Sequence, residues 1–448
     1  MNTPVTVDDP PKARRREQRG WYWYDVANSG FQTTVITVFL GPYLTTLAER
    51  AADPGGRVPF LGLDLRAEAY FSAVVSISVV LQIIVMPITG ALADHTGRKK
   101  ELLGVAAYLG AAATLGFYLV DGAAYALGGA LFIVANVAFG AAMVVYNSFL
   151  PQIATADERD RVSSRGWGFG YLGGFTLLAA NLALYLGSGV ESGLAVRISL
   201  ASAGVWWAVF TVIPLLRLRN RPVHTDGETT AGQAVTGSFR QLGRTIAGLR
   251  RYPRSMMFLL AYLIYNDGVQ TVISFSATYA DKELGLSKQT QITAILLVQA
   301  VAFGGALLLG ALAARFGTKR TVLVSLVAWT AVVAVAYFLE RGAAAQFYAI
   351  AVVIAVVMGG TQALSRSLYS LVIPPGREAE YFSLFEVSDK GSALLGSFTL
   401  TLALQLTGSY RVAILSLVIF FVAGFALLAA TNLPRAVREA GNQVPARI

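Results

Sequence analysis

Long apolar runs alternate with short polar breaks from Trp21 to Thr431. At ~1.5 Å of rise per residue, each run is long enough to cross ~30 Å of hydrocarbon as a helix. The pattern predicts spans at 23–48, 69–92, 101–120, 123–149, 166–187, 197–217, 255–280, 290–314, 320–339, 345–370, 381–407 and 411–431. The expected fold class is therefore all-α, a polytopic membrane protein with twelve transmembrane helices in two pseudo-symmetric six-helix bundles.

One long polar interruption, residues 218–254, divides the spans six and six. It sets the expected organisation: a tail 1–20, a bundle 21–217, a linker 218–254, a second bundle 255–431 and a tail 432–448. Within the linker Phe239, Leu242, Ile246 and Leu249 fall on one helical face, with Arg240, Arg244, Arg250 and Arg251 around the rest. That pattern fits an amphipathic helix at the membrane surface; a partly disordered basic linker is the alternative.

The halves repeat. Gly90-Ala91-Leu92-Ala93-Asp94-His95-Thr96-Gly97-Arg98-Lys99-Lys100 lies between two apolar runs, and Gly310-Ala311-Leu312-Ala313-Ala314-Arg315-Phe316-Gly317-Thr318-Lys319-Arg320 follows at an offset of 220 (310 minus 90). Asn28-Ser29-Gly30-Phe31-Gln32-Thr33 matches Asn266-Asp267-Gly268-Val269-Gln270-Thr271 at 238 (266 minus 28), and Pro151 matches Pro374 at 223 (374 minus 151). An insertion around Ala51–Leu65 accounts for the larger offset. Repetition at half the chain length points to a duplicated helix bundle.

Composition supports the membrane reading: 55% of residues are hydrophobic and only 14% charged, against about 25% charged in soluble domains. Forty-four glycines suit close helix packing in lipid. There is no cysteine, so disulfides and thiolate metal sites are excluded. The net charge of +10 does not imply nucleic acid, because the basic residues sit at the ends of apolar runs. They cluster at Arg14–Arg16, Arg98–Lys100, Arg159–Arg165, Arg217–Arg254, Lys319–Arg320 and Arg435–Arg447, while the opposite turns are nearly bare. The positive-inside rule then puts both termini in the cytoplasm, and the start of the chain has no signal-peptide pattern.

The Gly90–Lys100 stretch resembles the loop between helices 2 and 3 of the major facilitator superfamily, roughly G-x-L-a-D-r-x-G-R-[RK]-[RK]. The second copy departs from it, with Ala314 at the Asp position and Thr318 at the Arg position. Tyr24-Asp25-Val26-Ala27-Asn28-Ser29 resembles the opening of the vacuole-effluxer family within that superfamily. Tyr146–Pro151, Gly170–Gly174 and Gly359–Ser367 are similar to its helices 4, 5 and 10. The resemblance covers nearly the whole chain. It implies a secondary transporter in the cell membrane, whose fungal relatives are associated with moving amino acids out of the vacuole.

Charged residues inside spans need a reason, since each costs several kcal/mol. Asp267 falls near the middle of the seventh span, with Asn266 and Gln270 within a turn and Asn28 and Gln32 at the repeat-equivalent positions. These residues, with Tyr265, Gln362 and Tyr171, are the expected substrate and coupling site; a structural bond between helices is the alternative for Asp267. Asp25 lies nearer the cytoplasmic end, where a gate contact is expected. Glu386 and Lys390 stand four apart, in the favourable order for an ion pair. With Asp389 and Arg366 they are expected to form a charge network with the loop of the second and third spans. The superfamily resemblance implies that Asp94 meets the start of the eleventh helix and that Arg98 pairs with nearby acids, closing an inner gate that also includes Gly90. Ordinary snorkelling charge at helix ends is the alternative.

Several signals carry no function. Gly168-Phe169-Gly170-Tyr171-Leu172-Gly173 spells G-x-G-x-x-G without a preceding strand, so it is not a dinucleotide site. Two histidines, His95 and His224, supply no metal pair, and no phosphate-binding G-x-x-x-x-G-K-[ST] loop occurs. The expected protein is a monomeric permease and not an enzyme, with no cofactor or metal. It is expected to bind a small polar solute, with amino acids one candidate class, and to couple to H⁺ in the lipid bilayer. A sugar or drug carrier is the rival within transport, and a non-transporting sensor or scaffold the rival outside it.

Overall fold

The computed structural model describes residues 10–187, 189–221, 248 and 251–448. Apart from Gly248 and Arg251, the expected amphipathic segment of the linker lies outside the described residues. The first span is a composite: α1 (Pro11–Gly30), a π-helical run Phe31–Phe39 and α2 (Leu40–Ala51). Pro42 explains part of the break, since it has no N–H to return to Val38. Thr37 Oγ1 instead donates to the carbonyl of Gln32 at 2.8 Å, five residues back.

A short hairpin, β1 (Arg57–Phe60) and β2 (Leu63–Arg66), occupies the region where the repeat offset places an insertion. Then come α3 (Tyr70–Thr96), α4 (Lys99–Leu115), α5 (Tyr125–Ser148), the single turn α6 (Leu150–Ile153), α7 (Arg159–Gly187) and α8 (Ser192–Arg217). The second half contains α9 (Pro253–Lys282), α10 (Lys288–Phe316), α11 (Thr318–Ala336), α12 (Ala344–Leu371), α13 (Glu378–Thr407), α14 (Tyr410–Ser416), α15 (Val418–Ala430) and α16 (Leu433–Glu439). Among the described residues, ten helical segments are long and apolar enough to cross a membrane. The runs at 23–48 and 381–407 are helical too, but they are more polar and fall outside that ten.

Each half has its own core. Trp21, Phe31, Phe132 and Trp207 belong to the first, and Tyr262, Trp329, Tyr369 and Phe421 to the second. Ala379 joins the first core and Tyr171 the second, so these two mark where the bundles touch. The repeated glycines set the spacing of that seam. A Cβ on Gly90 of α3 would stand 2.5 Å from the Ala379 carbonyl of α13, and one on Gly310 of α10 would stand 2.6 Å from Ser164 of α7. Both sites need a residue with no side chain, because the facing helix occupies its volume.

The start of α1 and the last residues lie at one end of the molecule. Arg14 pairs with Glu158 at 3.0 Å, and the Ala446 N–H donates to neighbouring Asp157 at 2.8 Å. Lys99, Asn147, Arg159, Ser163 and Arg366 join the bundles by hydrogen bonds and ion pairs on this half. Helix α13 is largely buried from Glu378 to Ser388, then presents Leu395, Phe398, Leu402 and Leu406 on its surface toward the far end. The polar lock thus stands at the end carrying the termini, while toward the other end Ile292, Ile295 and Leu296 of α10 pack against the first core.

Candidate functional site

The lock has two layers. The first begins where α3 stops: Gly97 adopts φ +66°, a left-handed conformation that turns the chain into α4. That turn points Lys99 inward, leaving it 4% exposed. Its Nζ lies 2.9 Å from Asp94 Oδ1 and 3.0 Å from Glu378 Oε2. Asp94 Oδ2 accepts the Glu380 N–H at 2.8 Å, using one of the free amides at the start of α13. Asp94 therefore does meet the start of the eleventh helix. Arg98 does not pair as expected: it is exposed, and no ion pair joins it among the described residues. One residue further round the turn, Lys99 takes that place.

The second layer is built on Arg366 of α12, 1% exposed. Its Nη2 lies 3.5 Å from Asp25 Oδ2, and its Nε and Nη2 donate to the hydroxyl and carbonyl of Ser163 at 2.9 and 3.0 Å. Nη1 donates to Asn147 Oδ1 at 3.1 Å, and Asn147 Nδ2 donates to Glu386 Oε1 at 2.6 Å. Trp21, Tyr146 and Trp167 stack around the guanidinium, with Trp21 nearest at 4.6 Å. Tyr146 also donates to Asp25 at 2.6 Å. Such a planar, fully hydrogen-bonded and ring-caged cation suits Arg and not Lys. Arg159 adds a parallel contact, donating to the Ser370 carbonyl at 2.7 Å.

The expected single network between Arg366, Glu386, Asp389, Lys390 and the loop after α3 is therefore not what forms. Arg366 meets Asp25 directly and Glu386 through Asn147, and the loop closes separately on Glu378 and Glu380. Glu386 and Lys390 do not pair either. Lys390 Nζ lies 3.1 Å from Asp389 Oδ2 and 5.7 Å above the Phe139 ring. The shorter aspartate on the adjacent position reaches it, while Glu386 turns to Asn147.

Asp389 and Lys390 belong with the residues expected at the solute site. Asp389 Oδ1 accepts from Asn266 Nδ2 at 2.8 Å, Gln270 Nε2 at 3.2 Å and Tyr262 OH at 3.3 Å. The Asp389 and Lys390 side chains are 17% and 23% exposed, so the pair opens onto the space between the bundles. Tyr171 donates to Gln362 Oε1 at 3.0 Å across the seam, and Tyr265 bonds Ser365 at 2.6 Å within the second bundle.

Asp267 does not join them. It is fully buried against α13, its polar neighbours being the Gly396 N–H and the Thr271 hydroxyl. Neither carboxylate oxygen makes a well-formed hydrogen bond. The expected equivalence with the first span also breaks. Asn28 is buried with its Nδ2 3.5 Å from Met143 Sδ, whereas Gln32, inside the π-helical run, is exposed. Lys99, Glu378, Ser163, Tyr262 and Phe139 were not identified from the sequence. Only Lys99, in the basic turn, and Glu378, at a helix start, carried any local signal.

Two helical bundles with their own cores, repeated glycine contacts and charged layers across the seam define a major facilitator superfamily transporter, a multi-pass membrane protein that carries small solutes. The E. coli fucose:proton symporter FucP has the same fold, with a TM-score of 0.68, 15% identity, and coverage of 94% of this chain and 98% of that one. The chain belongs to the vacuole effluxer Atg22-like family, whose pattern it matches over residues 13–441. It is 30% identical to the uncharacterized MFS-type transporter YxiO of Bacillus subtilis (strain 168), over 92% of this chain and 94% of YxiO. Autophagy-related protein 22-1 of Penicillium rubens is 23% identical over 97% of this chain and 92% of its own length.

Proposed function

We propose that the chain is a proton-coupled permease for amino acids, working as a monomer by alternating access in the plasma membrane with both tails in the cytoplasm. Residues 21–217 and 255–431 are the rocking bundles and 218–254 their cytoplasmic linker. The observation that carries the substrate class is the Asp389–Lys390 pair, held by Asn266 and Gln270 and partly open to the cleft. An entering zwitterion replaces the pair charge for charge: its ammonium takes Asp389 and its carboxylate takes Lys390. Neither protein charge is then left buried and alone, the arrangement that costs most in a low dielectric. Gln362 and Tyr265 stand on the second bundle, with Tyr171, Asn28 and Gln32 on the opposing one.

Asp267 supports the coupling. A carboxylate sealed from water without a cation beside it costs several kcal/mol, so a proton there offsets the cost until the helices part. Asp25, Arg366 and Glu386 with Asn147, and Asp94, Lys99 and Glu378 with Gly90, form the gate on the cytoplasmic side.

Thermal stabilisation of the purified protein by a panel of solutes tests the substrate class, because a ligand stabilises the state it binds. Amino acids should raise Tm, sugars should not, and Asp389→Asn and Lys390→Gln should each abolish the response. Stabilisation by a sugar alone, or an amino-acid response intact in both variants, removes this reading. Asp267→Asn in proteoliposomes should lose accumulation driven by a pH gradient while retaining exchange; unchanged accumulation removes the proton role.

A further inference from the structure

Lys12, Arg15, Arg16 and Arg19 recur at helical spacing on one face of α1, and Arg217, the last residue of α8, faces them. Together the five line a cleft of about 340 Å³. Gly20 makes the meeting possible, since a Cβ there would stand 2.6 Å from Arg217 Cβ. Neighbouring cations are neutralised: Arg14 pairs with Glu158, and Arg219 and Arg221 pair with Glu17. None of the five cleft cations forms an ion pair with a described residue. Lys12 with Arg16, and Arg15 with Arg19, are like charges four apart on a helix, an arrangement that destabilises it unless an anion intervenes.

The surroundings identify the anion. Arg217 ends a membrane-length helix, which sets the cleft at headgroup depth. From it an exposed apolar stripe runs along α8 toward the hydrocarbon: Leu216, Val212, Val209 and Val205 are 76%, 42%, 57% and 49% exposed. Trp23 of α1 stacks on Phe210 of α8 at 5.3 Å just inside the basic layer, where interfacial aromatics belong. A free phosphate would use the cations and ignore the stripe; a phospholipid uses both.

We propose that this cleft binds the headgroup of an anionic phospholipid, whose acyl chains lie along the Val205–Leu216 face. The site belongs to the first bundle alone and is separate from the gate. In the leaflet facing the termini it would anchor that bundle while the other moves.

The test follows Tm of the full chain in neutral detergent during titration with phosphatidylglycerol, phosphatidylcholine or inorganic phosphate. Phosphatidylglycerol should give a saturable rise that the other two do not. The combined Arg15→Gln, Arg16→Gln, Arg19→Gln protein should bind it on the order of a hundredfold more weakly, as three basic contacts are lost. A control with exposed Arg66, Arg320 and Arg341 changed to Gln should respond as the unmodified chain does. Should the triple variant fold poorly, native mass spectrometry of Arg217→Gln reads the same loss as fewer retained phosphatidylglycerol molecules. Equal stabilisation by phosphatidylcholine, a full response in the triple variant, or inorganic phosphate reproducing the shift overturns the proposal.

Discussion

Arg366 and Asp25 face each other across the seam between the bundles, Nη2 to Oδ2 at 3.5 Å, with the guanidinium caged by three aromatic rings and bonded to Ser163 and Asn147. One cation thus ties α12 to α1, α5 and α7. Removing one partner of a buried ion pair costs about 3–5 kcal/mol, because the other charge is left behind. Arg366→Ala should therefore unlock this end and stop transport, and Arg366→Lys should rescue little, since an ammonium cannot serve Ser163 and Asn147 in one plane. Proteoliposome uptake by the two variants checks this; activity of the Lys protein close to that of the unmodified chain would contradict it.

Gly90 and Gly310 hold the bundles at contact distance. A valine at Gly90 must displace the Ala379 carbonyl, an overpacking that costs about 1–3 kcal/mol in the closed arrangement only. The chain has no cysteine, so a single Ser367→Cys reporter in the buried seam can be labelled without background. Gly90→Val should raise its labelling rate about fivefold or more, and Gly310→Val should act in the same direction. Unchanged labelling would show that these contacts do not set closure.

The loop after α3 makes a sharp distinction between neighbours. Lys99 is buried between Asp94 and Glu378, and Arg98 is exposed. Lys99→Ala should destabilise the closed state by about 3–5 kcal/mol, whereas Arg98→Ala should change it by less than about 0.5 kcal/mol. Asp94→Ala should match Lys99→Ala, losing transport with membrane insertion intact. Uptake rates and thermal unfolding of the three variants decide it, and an Arg98 effect as large as that of Lys99 would reverse the assignment.

Glu158 supplies an acid limb outside the membrane. Burial pushes its carboxyl up, but the Thr155 N–H and the Arg14 guanidinium outweigh that and hold it below its usual value of 4.5. The folded chain then holds this carboxylate in a pH range where the unfolded chain binds a proton. Its stabilisation is complete above pH 4.5 and lost as pH falls through the lower folded value. Glu158→Gln should lower stability at neutral pH by about 0.2–1 kcal/mol and flatten the dependence below 4.5. Parallel Tm–pH curves for the two proteins would exclude it.

Much of the candidate site was legible where helical geometry alone decides neighbours. Asn266 and Gln270 stand four apart and do share a face, ending on the same oxygen of Asp389. Asp267, one residue from Asn266, is rotated by about a quarter turn or more and meets α13 instead. The same geometry separates Asn28 from Gln32, because the π-helical run beginning at Phe31 shifts the helical phase between them.

What the sequence determined by itself was every property that depends on order along one helix: the membrane-length apolar runs, the half-chain repeat, the glycines that repeat with it and the basic ends. Hydropathy and charge act there through local length and composition, so they need no partner to be read. Only the tertiary structure decided which side chains meet. Whether Lys99 or Arg98 enters the seam, whether Lys390 takes Asp389 or Glu386, and whether Asp267 faces the cleft all depend on the rotation of one helix against another. That rotation is set by the packing of many side chains at once.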